Sequence, residues 1–401
     1  MRVEIQPCRP RGTVTAPPSK SMAHRLLICA GLSDGESIVR RLAFSEDVKA
    51  TIDCLRALGA EIRIDGDTAY VTGADVRQAI GRVAELPCRE CGSTLRFFTP
   101  LCMLSGEERV LKGSSYLMTR PMSAYEDIAQ YQGIRFERSD DCITVQGKMK
   151  SGIYEVPGNI SSQFISGLLF ALPLLDGDSE IHILPPVESK PYIDMTVQAL
   201  ADFGIVIEND GNIYKVNGGQ SCKAADVTVE GDYSNAAFFE ALNYAGGDVV
   251  VGGLREDSLQ GDKVYKILFE KIKSGSGSID ISDCPDLGPV LFAVAALCDG
   301  ATFTGTRRLR IKESDRAECM KQELENFGII AEVGENDVII RSGTLQIPTQ
   351  PLDGHGDHRI VMALSVLLTK TGGVIEGAEA VSKSFPDFFD KLKQLHAEVN
   401  I

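Results

Sequence analysis

Six times along the chain a short polar segment opens an apolar, helical-looking stretch that ends in a Gly-containing turn. The openings fall at Lys20 (SKSMAHRLLICAGLSDG), Ser93 (GSTLRFFTPLCMLSGE), Ser161 (SSQFISGLLFALPLLDGD), Ser234 (SNAAFFEALNYAGGD), Asp286 (PDLGPVLFAVAALCDG) and Asp357 (DHRIVMALSVLLTKTGG). Their spacings are 73, 68, 73, 52 and 71 residues, which points to a repeated folding unit longer than the common solenoid repeats. Apolar residues run almost unbroken through these stretches, as expected of helices buried on most sides.

A second pattern runs in phase with the first. Leu55-Arg56-Ala57-Leu58-Gly59-Ala60-Glu61-Ile62 reads as the end of an amphipathic helix, a Gly just past it, then a strand. The same reading fits Gly133 (IAQYQGIRF), Gly204 (ALADFGIVI) and Gly328 (ELENFGIIAEV), with weaker copies near Gly275 (KIKSGSGSID) and at the C-terminus (KLKQLHAEV). Each unit therefore combines a buried helix, an outer helix and several strands, an α/β pattern. At 401 residues the chain exceeds the roughly 250–300 that one core sustains. Three units per domain predict two similar domains: 14-225, and 226-401 completed by 1-13, because the strand Val3-Glu4-Ile5 has no unit of its own.

Charge and composition narrow the function. With 41 Lys+Arg against 56 Asp+Glu the net charge is −15, which disfavours a nucleic-acid partner. The longest apolar run, Phe164 to Leu175, contains Ser166, Gly167 and Pro173 and is too short for a bilayer, so no membrane partner is expected. The opening residues Met1 to Pro7 carry no signal or transit character. Eleven Cys, an odd number in a large chain, suit reduced thiols and a cytoplasmic location. Cys88-x-x-Cys91 reads as two separate thiols, His355 and His358 have no partner at ligand spacing, and no metal is assigned.

In so acidic a chain the cations that stand beside small polar residues are informative. Ser19-Lys20-Ser21-Met22-Ala23-His24-Arg25 follows Pro17-Pro18 at a helix start, where unpartnered N–H groups and the dipole favour an anion. Capping by Ser19 with solvated cations accounts for this segment equally well. Ser161-Ser162-Gln163 and Ser189-Lys190-Pro191-Tyr192 are further hydroxyl-bearing starts, each open to the same plain reading. In Lys312-Glu313-Ser314-Asp315-Arg316, Lys312 and Arg316 are expected i,i+4 on a helix with Glu313 beside them, an anion site next to an ionised carboxylate or a surface ion-pair helix. Asp357-His358-Arg359 heads the sixth apolar stretch, and Lys383 precedes Ser384-Phe385-Pro386-Asp387. The phase of these segments favours a ligand: if the helix starts gather at one end of each domain, they present a local positive field to small polyanions despite the net charge.

Taken together and in order, these motifs resemble the 5-enolpyruvylshikimate-3-phosphate synthase family over almost the whole chain. The matching segments are Pro18-Ser19-Lys20-Ser21…Arg25, Gly92-Ser93-Thr94-Leu95-Arg96, Arg120-Pro121, Ser161-Ser162-Gln163, Ser189-Lys190-Pro191-Tyr192, Pro285-Asp286, Lys312 through Arg316, Asp357-His358-Arg359 and Lys383-Ser384-Phe385-Pro386. The resemblance implies two similar domains, each of three βαβαββ units (an inside-out α/β barrel), with the active site in the interdomain cleft. It implies transfer of the enolpyruvyl group of phosphoenolpyruvate to the 5-hydroxyl of shikimate 3-phosphate through a tetrahedral adduct, with release of phosphate. That is a step of the shikimate pathway to chorismate and the aromatic amino acids, and it needs no cofactor.

By matched position, the resemblance assigns shikimate 3-phosphate to Lys20, Ser21, Arg25, Ser161, Ser162, Gln163, Ser189, Tyr192, Asp286 and Lys312. It assigns phosphoenolpyruvate to Lys20, Gly92, Arg120, Gln163, Arg316, Arg359 and Lys383. Lys20 bridges the substrates, Asp286 acts on the 5-hydroxyl as a base and Glu313 handles the proton at C3. The first domain takes the shikimate side, the second the phosphoenolpyruvate side, and the expected enzyme is a monomer whose partners are these two small molecules. Glu90-Cys91 and His24 depart from the family's more frequent Asn-Ala and Asn, and Arg308 from an Asn. A UDP-N-acetylglucosamine enolpyruvyl transferase is the nearest alternative, but its Lys-Asn pair is absent, since Ser21 follows Lys20. A non-catalytic phosphometabolite-binding paralogue would need neither Asp286 nor Glu313, and a repeat scaffold for protein partners would not need the cation-bearing helix starts.

Overall fold

The computed structural model describes every residue of the chain except Ile80, Arg82 and Ser276. Contacts divide it into two compact units, one of Pro18–Glu230 and one of Met1–Pro17 with Gly231–Ile401. The crossings fall a few residues beyond 14 and 225 for a reason of strand pairing. Arg11–Thr15 pairs in parallel with Asp248–Gly252, and Asp226–Thr228 in parallel with Glu36–Arg40. Each strand ties its segment to the unit that holds its neighbour.

In the unit of 18–230 the helices are α1 (Lys20–Gly31), α2 (Glu46–Ala57), α3 (Gly92–Cys102), α4 (Ser115–Thr119), α5 (Ser123–Gln132), α6 (Ser162–Ala171) and α7 (Lys190–Asp202). Among its described residues are three four-stranded sheets of one design. In one of them Ala84–Arg89 and Arg109–Gly113 run parallel, as a crossover through α3 requires. Cys142–Gln146 and Arg135–Arg138 then add antiparallel. The second sheet repeats this with Ile153–Pro157, Ser179–Leu184, Ile213–Val216 and Ile207–Asp210, and the third takes its first strand, Asp226–Thr228, from the far end of the segment.

The second unit carries α8 (Tyr233–Ala241), α9 (Tyr265–Lys273), α10 (Gly288–Leu297), α11 (Arg316–Asn326), α12 (His358–Thr371) and α13 (Phe388–Gln394). Ser278–Asp280, Ala301–Thr304, Asp337–Ile340 and Ala331–Val333 build a sheet of the same order. In another, Val3–Ile5 lies antiparallel between Gly373–Glu376 and Val399–Asn400, so the N-terminal strand fills a place that the last repeat leaves empty. The 52-residue spacing also has a cause: after α9 the chain turns directly into Ser278–Asp280, and the region of Asp248–Gly252 keeps a two-stranded sheet. The weak copy near Gly275 includes Ser276, which lies outside the described residues.

The apolar helices lie inside. In α10 every residue from Gly288 to Ala296 is buried, and α6 and α12 are nearly as enclosed. Each fully buried Leu, Val or Phe contributes about 1.5–3 kcal/mol. Two cores result, one per unit. Gly167 lets α6 approach α3 closely, since a Cβ there would sit 2.6 Å from the Arg96 carbonyl oxygen. The outer helices end as their sequences predict: Gly59, Gly133, Gly204 and Gly328 all take positive φ, from 70° to 108°. Among the described residues no helix is long and apolar enough to cross a membrane.

Candidate active site

In the unit of 18–230 the starts of α1, α2, α3 and α6 are linked by side chains. Ser19 caps α1 by accepting from the Met22 N–H at 3.3 Å. Next to it Lys20 Nζ donates to Asp47 Oδ2 at 2.8 Å, in the first turn of α2, with both side chains little exposed. Gln163, in the first turn of α6, donates from Nε2 to Ser93 Oγ at 2.8 Å and accepts from Arg96 Nη1 at 2.7 Å, joining α6 to α3. Ser161 caps α6, and Ser162 is its first residue.

Arg25 is held more tightly than a sequence can reveal. Its Nε donates to Thr196 Oγ1 at 2.9 Å, Nη1 to the Ser21 carbonyl at 2.6 Å and Nη2 to the Tyr192 carbonyl at 2.9 Å. Burial lowers its pKa to about 10, and the guanidinium packs on the Phe97 ring at 5.2 Å. Ser21, Arg25 and Tyr192 are thus brought together where α1 meets α7. Ser189 precedes α7 in the left-handed conformation (φ 58°) and is buried. Gly92 opens α3 directly against Arg120: a Cβ at Gly92 would lie 2.7 Å from the guanidinium carbon.

His24 and Cys91 lie in one buried cluster. His24 Nδ1 is 2.7 Å from Thr51 Oγ1, which is 2.9 Å from Thr94 Oγ1, and Cys91 Sγ is 3.9 Å from His24 Nε2. Cys91 is the N-cap of α3, accepting from the Thr94 N–H at 3.4 Å. Burial, then the charge of Asp47, pushes its thiol up to about 12, while burial and the nearby Lys20 and Arg25 hold His24 well below the usual imidazole range. Glu90 is exposed.

The second unit gathers its candidates around one carboxylate. Asp286 Oδ1 lies 3.1 Å from Lys312 Nζ and 2.8 Å from Arg316 Nη1, and Oδ2 lies 3.1 Å from Arg359 Nη2. Burial alone would raise its pKa, but Arg359, Lys312 and Arg316 outweigh it and hold the carboxyl well below the ordinary range. Arg316, 1% exposed, also donates from Nη2 to Glu313 Oε2 at 2.6 Å and from Nε to Asp357 Oδ2 at 2.8 Å. Arg359 further donates to the Asp286 carbonyl at 3.0 Å and to Ser234 Oγ at the start of α8. Burial lowers the Lys312 ammonium to about 8. Lys383 Nζ donates to the Gly356 carbonyl at 2.7 Å, just ahead of Asp357, the N-cap of α12.

One expectation is corrected. Lys312 and Arg316 do not share a helix: Lys312 is extended (ψ −154°), and α11 begins only at Arg316. Asp315 caps it by accepting from the Glu318 N–H at 3.2 Å, so the helix cannot start earlier. The two cations meet at Asp286 through tertiary folding. Asp47 and Asp357 are the partners that residue-level reading missed. Both look like ordinary acidic helix-start residues in sequence, and nothing there marks that Lys20 and Arg316 lean on them.

Comparison with known proteins gives a consistent result. The chain matches the family model described as EPSP synthase (3-phosphoshikimate 1-carboxyvinyltransferase) over residues 6–392. It is 39% identical to a 3-phosphoshikimate 1-carboxyvinyltransferase of Clostridium kluyveri, covering 99% of this chain and 98% of that one. It is 40% identical to the one of Clostridium beijerinckii, covering 98% and 97%. A solved EPSP synthase from Acinetobacter baumannii superposes with a TM-score of 0.80 over 100% of both chains at 23% identity, which establishes a shared fold. The family match and these relatives thus define an α/β group-transfer enzyme, one whose helix starts carry clustered cations and carboxylates. The chain belongs to the EPSP synthase (3-phosphoshikimate 1-carboxyvinyltransferase) family.

Proposed function

We propose that this protein transfers the enolpyruvyl group of phosphoenolpyruvate to the 5-hydroxyl of shikimate 3-phosphate. The oxygen bonds to C2 while C3 gains a proton; the adduct then loses inorganic phosphate and a C3 proton, restoring the double bond. The observation that carries this reading is the ring of Lys312, Arg316 and Arg359 around Asp286, with Glu313 on the same Arg316. Such an arrangement suits a polyanionic substrate and a proton-transferring carboxylate together.

Roles divide by substrate. Ser161, Ser162 and Ser189 take the shikimate phosphate with Lys312, while Ser21 and Arg25 take the carboxylate, with Gln163 and Tyr192 beside them. Arg120, Arg316, Arg359, Lys383 and the Gly92 backbone bind phosphoenolpyruvate, whose phosphate and carboxylate suit guanidinium forks. Lys20 serves both substrates, and Glu313 moves the C3 proton. Asp286 binds the ring hydroxyls and accepts the 5-hydroxyl proton. As long as three cations hold it, Asp286 is a weak base, so phosphate groups that draw those cations away also raise its basicity. The enzyme works as a cytoplasmic monomer in the route to chorismate.

The test is phosphate release from phosphoenolpyruvate with shikimate 3-phosphate or UDP-N-acetylglucosamine as acceptor. Release with shikimate 3-phosphate alone is expected. Release only with the nucleotide sugar, or with neither, refutes the proposal.

A further inference from the structure

Beside Lys20 the structure places three metal-ligating side chains that the proposed reaction does not use. One ligand atom each of His24, Asp47 and Cys91 lies within 4.8 Å of the others, and among the described residues no other such group occurs. His24 Nε2 and Cys91 Sγ are 3.9 Å apart, and all three residues are buried. In a tetrahedral site with bonds of about 2.0–2.3 Å, neighbouring ligands stand roughly 3.5 Å apart. The widest separation exceeds this by at most about 1.3 Å, which small shifts shared between two side chains close.

An outer partner is already in place. Thr51 Oγ1 lies 2.7 Å from His24 Nδ1 and can accept a hydrogen bond from its N–H, which leaves the Nε2 lone pair facing Cys91. A mixed N, S and O donor set suits borderline-soft cations such as Zn²⁺ or Co²⁺ and not Mg²⁺ or Ca²⁺. The Asp47 carboxylate already carries the Lys20 ammonium, 2.8 Å from Oδ2.

We propose that His24 Nε2, Cys91 Sγ and the Asp47 carboxylate form a site for a Zn²⁺-type cation, and that occupying it displaces Lys20 and inhibits the enzyme. The ion is an inhibitor here, not a cofactor. On binding, the Cys91 thiol gives its proton to solvent and the thiolate bonds to the metal, with a water completing the set. Two positive charges beside the Lys20 ammonium drive that side chain off Asp47. Binding follows from the geometry alone, whereas inhibition rests on the role given to Lys20 above.

The full-length, reduced protein should be titrated with Co²⁺ and the thiolate-to-cobalt absorption followed, with Zn²⁺ as competitor. One Co²⁺ per chain with a thiolate band is expected. His24→Asn and Cys91→Ala should each weaken it at least tenfold, since loss even of outer partners costs about 10–100-fold. Lys20→Met should tighten binding, because it removes the competing ammonium. No thiolate band in the unaltered protein, or unchanged affinity in both ligand variants, overturns the site. Weaker binding in Lys20→Met overturns the competition. Zn²⁺ should also slow phosphate release by the unaltered protein, and Cys91→Ala, measured against its own metal-free rate, should resist. Binding without inhibition overturns the inhibitory role. Failure of the metal-free protein to release phosphate would instead refute the proposed function and leave the binding result standing.

Discussion

Arg316 and Asp357 form an enclosed ion pair, Nε to Oδ2 at 2.8 Å, with side chains 1% and 0% exposed. The aspartate also caps α12, accepting from the Arg359 N–H at 2.9 Å, and accepts from Ser314 Oγ at 3.2 Å. One carboxylate therefore fixes both arginines that reach Asp286. Asp357→Asn removes one of three carboxylates from a buried guanidinium that keeps Asp286 and Glu313, so the cost should stay below the about 3–5 kcal/mol of a buried pair broken outright. Thermal unfolding should shift down accordingly, and phosphoenolpyruvate affinity should fall with it. An unchanged melting temperature would show that the pair is not the anchor described.

The repeats were legible because the inner helices are enclosed on nearly every side. Val290 to Ala296 of α10 are all apolar and buried, so the polar residues at the helix starts stand out. Pairing across the chain was not legible. Lys20 and Asp47 are 27 residues apart, and an aspartate in a helix's first turn is already explained by the dipole. The i,i+4 spacing of Lys312 and Arg316 misleads because their residue types fit a helix, while the Asp315 cap that stops it is a matter of local geometry. The domain boundaries moved for a similar reason: the partners of Arg11–Thr15 and Asp226–Thr228 lie far along the chain.

Gly92 tests the pocket's shape. A Cβ at this position would stand 2.7 Å from the Arg120 guanidinium carbon, so Gly92→Ala must push that group aside. Helix α3 can accept an alanine at its first residue, so folding should survive. The expected result is a raised KM for phosphoenolpyruvate, on the order of tenfold or more, with little change for shikimate 3-phosphate. Equal changes for both substrates would remove Arg120 from the phosphoenolpyruvate role.

Glu313 lies 2.6 Å from Arg316 Nη2 and is partly exposed. Glu313→Gln keeps its shape but cannot take up or deliver a proton. Turnover should drop by about 10²–10⁴-fold, the usual worth of a positioned acid–base group, while calorimetry shows both substrates still binding. Near-normal turnover would take Glu313 out of the chemistry.

Lys312 sets a pH limit. Burial brings its ammonium from the ordinary lysine range to about 8, although Asp286 pulls in the opposite direction. Below about pH 8 the side chain is protonated and can hold a phosphate; above it the charge is lost. As a property of the protein before substrate binds, this pKa should appear in kcat/KM for shikimate 3-phosphate as an alkaline limb near pH 8. The bound dianion favours the ammonium, so kcat at saturation should hold to higher pH. Lys312→Arg, with a cation that does not titrate in this range, should move the kcat/KM limb upward even if its rate is lower. A limb that stays near pH 8 in that variant would assign the titration to another group.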